Sequence, residues 1–284
     1  MKPQHLFHFS LYGFLSYLAI GSILSLLLGN VPAVANHWLS QGLPQDSGLD
    51  PGSQTDSFGG EYTPLTLAET EFRYLASRGS TSSRGRAGSR SNCPSLNAGE
   101  PNLTAIVPLI QGTVDGISVE TAVGTTTSTY PTFWFYVPYP AEKIHSVRFV
   151  VNNEQDIPLF EPVTVPLSNR VPGLVSVQLP ESAPPLEVGK YYRWYVMLYC
   201  SSEGGSDTFA DAYVQRVELS PETVSKLATA SPHERIDLLL ANNAWHEAVG
   251  ELYTLQMHLP SDTGIRAKWV ELLEMGGLSS QNSF

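Results

Sequence analysis

The sequence predicts a mainly β protein with a helical end: a two-sheet sandwich followed by a small C-terminal helical hairpin. Three observations predict it. Between 93 and 219, short runs of branched and aromatic residues alternate with clusters of Gly, Pro and Asn, as strands alternate with turns. After Ser220 the apolar period lengthens from that of a strand to that of a helix. The chain has 284 residues, 42% of them hydrophobic and only 15% charged, enough to bury one large domain or two small ones.

Residues 1–35 read as an export signal. Lys2 is the only charged side chain before Asp46, an apolar run extends from Leu11 to Leu28, and Ala33 and Ala35 supply the small residues of a cleavage site before Asn36. Left uncleaved, the same run is long enough to anchor the chain in a membrane. Either outcome places the remainder outside the cytoplasm.

Residues 36–92 are rich in Gly, Ser, Gln and Thr with no sustained period, and are expected to be a disordered linker. Within 71–90, Arg73, Arg78, Arg84, Arg86 and Arg90 are set against Glu71 alone, a local charge of +4. That makes the stretch a solvated linker or a cationic tether to anionic envelope polymer or lipid.

The sandwich is expected over 93–219, with strands at 103–110, 132–137, 146–152, 157–165, 174–179, 191–199 and 208–219. Pro108, Pro158 and Pro162 belong at strand ends or edges, because proline offers no ladder donor. The run from Leu186 through Gly189 to Tyr192 resembles the tyrosine corner of immunoglobulin- and fibronectin-like sandwiches. The resemblance implies that the Tyr192 hydroxyl bonds to upstream main chain. Period-two alternation then places Tyr192, Trp194, Val196, Leu198 and Cys200 on the inner face.

The two cysteines precede the first strand and end the sixth. Strands that alternate in direction bring those points to the same end of the domain, which permits a Cys93–Cys200 disulfide in an oxidising compartment. The alternative is two buried free thiols.

Residues 220–278 are expected to form helices at 221–230, 232–242, 244–258 and 262–275, with 279–284 as a tail. Ser220-Pro221 and Ser231-Pro232 each place Ser at an N-cap and Pro in the first turn, and Glu234 completes a capping box with Ser231. Ala248, Leu252, Leu255 and Pro260 have the spacing of the second helix of a tetratricopeptide repeat, but a single degenerate copy cannot build a solenoid.

A net charge of −11 leaves no basic field for a phosphate backbone, which argues against nucleic-acid binding. Two cysteines exclude a four-thiolate zinc site. No nucleophile elbow, phosphate-binding glycine loop or dinucleotide fingerprint occurs. His246-Glu247 begins like a zinc-protease helix, yet Gly250 stands where the second His is needed. His233 and Asp237 share a helix face and read as a capped surface pair rather than metal ligands. No catalytic residue, metal or cofactor is expected.

The candidate binding face is aromatic. Tyr191, Arg193, Tyr195 and Tyr199 alternate outward on one strand, and Trp134 and Tyr136 lie on a strand that is apolar on both faces. The C-terminal helices, an envelope protein partner or a stacked glycan would each cover such a face.

Further stretches carry a family resemblance. They are Leu103-Thr104-Ala105-Ile106-Val107-Pro108, the run from Tyr130 to Pro138, Pro185-Leu186-Glu187-Val188-Gly189-Lys190, Tyr192-Arg193-Trp194-Tyr195, Val217-Glu218-Leu219-Ser220-Pro221, Ala244-Trp245-His246-Glu247-Ala248 and Trp269-Val270-Glu271-Leu272-Leu273. Together they resemble a family of exported proteins found mainly in cyanobacteria, numbered 928 among the domains of unknown function. The resemblance spans about residues 84–278. It implies no activity, cofactor or catalytic residue. The expected role is a non-catalytic protein–protein interaction module in the periplasm or at the cell surface; a carbohydrate-binding module and an unrecognised hydrolase are the alternatives.

Overall fold

The structure, a computed structural model, describes residues 58–59, 65–79, 81, 86–87, 92–168, 171–276 and 278. The expected leader, the first part of the expected linker and the tail 279–284 lie outside the described residues.

Three strands form the smaller sheet: β2 (Thr104–Ala105), β5 (Thr132–Val137) and β8 (Gly173–Gln178), in the order β2-β5-β8. The larger sheet runs β3 (Leu109–Val114), β4 (Ile117–Thr126), β10 (Thr208–Arg216), β9 (Tyr191–Tyr199), β6 (Ser146–Asn152) and β7 (Val163–Thr164). A short β1 (Arg86–Ala87) joins β10 antiparallel, while β10 and β4 pair in parallel. The two sheets make an immunoglobulin-like sandwich, and a C-terminal helical part follows.

The core between the sheets is aromatic because alternation points large rings inward from both. Tyr192, Trp194, Val196 and Leu198 are buried on β9, and Phe133, Phe135 and Val137 are buried on β5. The Phe133 ring centre lies 5.1 Å from that of Trp194 and 5.0 Å from that of Phe149.

Three expected strands, over 132–137, 146–152 and 191–199, occur with those bounds. The strand expected over 103–110 is two strands in different sheets. Pro108 has no N–H to continue a ladder, and the chain changes sheets just before it. The β3–β4 hairpin that follows was not expected. Its turn is Asp115-Gly116, with φ of 51° and 79°, the positive angles that a two-residue hairpin needs. The strand expected over 157–165 shrinks to β7, its first half reduced to a single bridge between Asn152 and Pro158.

Four C-terminal helices occur: α2 (Pro221–Leu227), α3 (Pro232–Ala241), α4 (Trp245–His258) and α5 (Thr263–Met275). Ser220 Oγ accepts the Thr223 N–H, and Ser231 and Glu234 form the expected capping box. Asp262 caps α5 by accepting the N–H groups of Gly264 and Ile265. These helices dock through α4. Trp245 Nε1 donates to the Ile106 carbonyl at 2.9 Å, and Tyr253 packs on Trp134 with centroids 4.6 Å apart.

The expectation of a disordered linker over 36–92 is corrected where that span is described. The helix α1 (Glu69–Ser77) lies on the outer face of the larger sheet, with Phe72 and Leu75 buried. Leu75 joins Val123, Tyr191 and Tyr213 in a second apolar cluster separate from the main core. Before α1, the Gly59 N–H donates to Asp237 Oδ2 and the Phe58 ring packs edge-on against His233. After it, Thr81 Oγ1 accepts the Ala122 N–H, and β1 takes two of the expected linker residues into the sheet. A sparse apolar period of Leu65, Leu67, Phe72 and Leu75 was the available signal, hidden by polar neighbours. Replacing Leu75 with Ala will cost α1 about 2–5 kcal/mol of docking free energy. Amide exchange over 69–77 will then accelerate while exchange in β9 stays slow.

Candidate functional site

The six residues of the expected binding face do not form one face. Tyr191, Arg193, Tyr195 and Tyr199 lie on β9 in the larger sheet, whereas Trp134 and Tyr136 lie on β5 in the smaller. Trp134 is buried against α4 through Tyr253. At the start of β9, Tyr191 and Arg193 meet α1 and its C-terminal end rather than the C-terminal helices, while Tyr195 and Tyr199 are half-buried. Tyr191 is 5% exposed, and its hydroxyl donates to Glu71 Oε1 at 3.4 Å. Burial first, then the Glu71 charge and hydrogen bond, push its phenol pKa well up.

Arg193 is spoken for on every side. Its guanidinium pairs with the buried Asp211 carboxylate at 2.6 Å and donates to the Arg78 carbonyl at 2.8 Å. It also lies over the rings of Tyr195 and Tyr213, 5.3 and 5.5 Å from their centroids. Tyr213, absent from the expected set, donates its hydroxyl to the Leu75 carbonyl. An ion pair at the end of α1, surrounded by rings, fixes the helix to the sheet.

The corner at 186–192 is formed. Tyr192 Oη accepts the Glu187 N–H at 3.0 Å, Leu186 is buried, and Gly189 has a φ of 78° that a side chain would strain. Replacing Tyr192 with Phe keeps the ring and removes this bond, and will lower stability by about 1 kcal/mol in a denaturant titration.

Cys93 and Cys200 are joined, with Cα atoms 5.1 Å apart. Asp207 braces the bond. Its Oδ1 accepts the Asn92 N–H at 2.5 Å, and its Oδ2 accepts the Cys200 N–H at 2.8 Å. Burial alone would raise the Asp207 pKa, but these main-chain donors outweigh it and hold the carboxyl below its usual value. The sulfurs and an Asp207 oxygen lie within 4.8 Å of one another, yet the S–S bond consumes both thiolates that a metal would need.

His246 and Glu247 diverge. The imidazole enters the core beside Phe133, and a Cβ on Gly124 would lie 2.7 Å from its Nε2. Burial drives its pKa down to about 4, opposed weakly by the Thr132 backbone. Glu247 turns to the β4–β5 connection, where its Oε1 accepts the Thr126 hydroxyl and the N–H groups of Thr127 and Ser128. Both residues fasten α4. His233, expected at the surface, is buried against Phe58, and its helix-face neighbour Asp237 pairs with Lys268 at 3.3 Å.

The open feature lies elsewhere. A groove of about 510 Å³ follows β3, lined chiefly by Leu65, Leu67, Phe72, Leu109, Ile110 and Met275. β3 is the edge strand of its sheet. The Asp115-Gly116 turn signals the β3–β4 hairpin, but nothing in the residues of β3 shows that it lies at an edge.

The family profile described as Domain of Unknown Function (DUF928) matches residues 82–283. No curated protein matches the chain. Among solved structures, the soluble domain of PmoD from Methylocystis sp. (Rockwell) aligns at 12% identity with a TM-score of 0.23. The alignment covers 38% of this chain and 97% of that one, and a likeness of this degree carries no argument.

Proposed function

The chain belongs to the family of unknown function numbered DUF928, and from that premise we propose that it is an exported envelope protein whose sandwich is a non-catalytic protein-interaction module. The apolar groove beside an edge strand carries this reading. A strand edge bordered by apolar surface is a common protein-recognition feature. The leader-like start and the Cys93–Cys200 disulfide support export, since such a bond persists in oxidising compartments. Among the described residues, no helix is long and apolar enough to cross a membrane. A glycan platform on Tyr191, Tyr195 and Tyr199 is disfavoured because Tyr191 is buried against α1 and the Arg193 guanidinium lies over the Tyr195 ring.

The test is site-specific photo-crosslinking in intact cells, with the probe placed at Thr113 beside the groove or at Ile157, an exposed residue on the β6–β7 connection. A discrete protein adduct from position 113, absent from position 157, is the expected result. Equal labelling from both positions, or none from either, would overturn the reading.

A further inference from the structure

Building on that reading, we propose that the groove receives a single extended peptide strand, apolar at alternate positions and flanked by cationic residues, which adds to the edge of β3.

The register fixes which backbone groups are free. The Val123 N–H donates to the Pro108 carbonyl, and Val114 and Ile117 close the hairpin. Pro108, Ile110, Gly112 and Val114 therefore direct their main-chain groups at β4. Leu109, Gln111 and Thr113 direct theirs the other way, toward the groove. Among the described residues, no main-chain bond reaches these three. The strand carries no charged side chain to discourage pairing.

The groove's dimensions favour one strand over a second sheet. Its volume is within the range of small ligand sites, and the segment of Leu65, Thr66 and Leu67 lines it together with β3. An added strand would satisfy the three free positions and place its alternate side chains among Leu65, Phe72 and Met275. A second copy adding through its own β3 would bring its own α1 and Leu65–Leu67 segment against those of the first.

Charge specifies the flanks. Glu69 lines the groove, and Glu120 is the cross-strand partner of Gln111. Asp115 stands at the hairpin turn. Arg73 pairs with both Glu69 and Asp115, at 3.2 and 2.6 Å, so among the described residues the three acids and this one cation leave two negative charges along the edge.

The probe is the synthetic peptide Lys-Val-Thr-Val-Thr-Val-Lys, titrated into the purified protein while amide exchange is followed. Exchange at Leu109, Gln111 and Thr113 is expected to slow at least tenfold at saturation. The same peptide N-methylated along its bonding edge should give no slowing, and a version with Glu in place of both Lys should bind at least fivefold more weakly at low salt. Gln111→Pro removes one outward N–H and leaves the β3–β4 ladder intact, so it should weaken binding about tenfold. Equal binding of the N-methylated peptide, protection confined to α1 or α4, or no protection at all would overturn the proposal. If position 113 still captures a protein in cells under any of those outcomes, the interaction reading stands and strand addition alone falls.

Discussion

Replacing Cys93 with Ser will lower the unfolding free energy by about 4–5 kcal/mol, the entropy released when a cross-link across this much chain is removed. The two cysteines are 107 residues apart in sequence, and the bond ties the approach to β2 to the end of β9. It therefore connects the two sheets through the chain as well as through packing. The chain contains only two cysteines, so reduction cannot lead to rearranged pairing. Urea titrations should place the oxidised wild-type midpoint well above that of the variant, and a dithiol reductant should bring the wild type down while leaving the variant unmoved. Coincident midpoints for all four samples would show that the bond adds nothing. Replacing Asp207 with Asn should make the bond easier to reduce, because the carboxylate accepts main-chain N–H groups next to both cysteines.

The second large effect is acid sensitivity centred on His246. The folded imidazole has a pKa of about 4 against an ordinary 6.5, because it is fully buried. A depressed folded pKa means that below 6.5 the unfolded chain takes up a proton that the native protein refuses. Stability is thus intact above pH 6.5 and is lost progressively as the pH falls toward 4, by about 3 kcal/mol across the window. Glu247 works in the opposite sense. Burial raises its pKa above the usual 4.5, against the hydrogen bonds from Thr126, Thr127 and Ser128, so its contribution is present at low pH and is lost as pH rises through the folded value. Substituting Leu for His246 isolates the histidine, since Glu247 is common to both proteins. The stability difference between wild type and variant, measured by denaturant titration at pH 7 and pH 4, should shift against the wild type by about 3 kcal/mol. A difference that does not change with pH would mean that the imidazole is hydrated in the native state.

The sandwich was legible because its central strands are strongly alternating. On β9 every second residue from Tyr192 to Leu198 is large and apolar, and a one-residue slip would put Arg193 in the core. The helical end was legible through its caps at Ser220 and Ser231. The aromatic face was misread for a physical reason. Alternation identifies the side of a sheet that is not the core, but it cannot say what lies on that side. Here one cover, α1, comes from a stretch whose composition looks unfolded, and only Phe72 and Leu75 betray it. Its stability comes from the sheet beneath, as expected of a nine-residue helix too short to persist alone. The β3 groove was invisible because an edge is a property of strand order, which the residues of that strand do not encode.

The position of β10 has a consequence for how the molecule is assembled. It is the last strand among the described residues, yet in the larger sheet it lies between β4 on one side and β9 on the other. Until Arg216 is available, the hairpin β3–β4 and the ribbon β9-β6-β7 have no common neighbour to join them. A polypeptide emerging N-terminus first must wait for its closing strand, and such distant pairings form slowly.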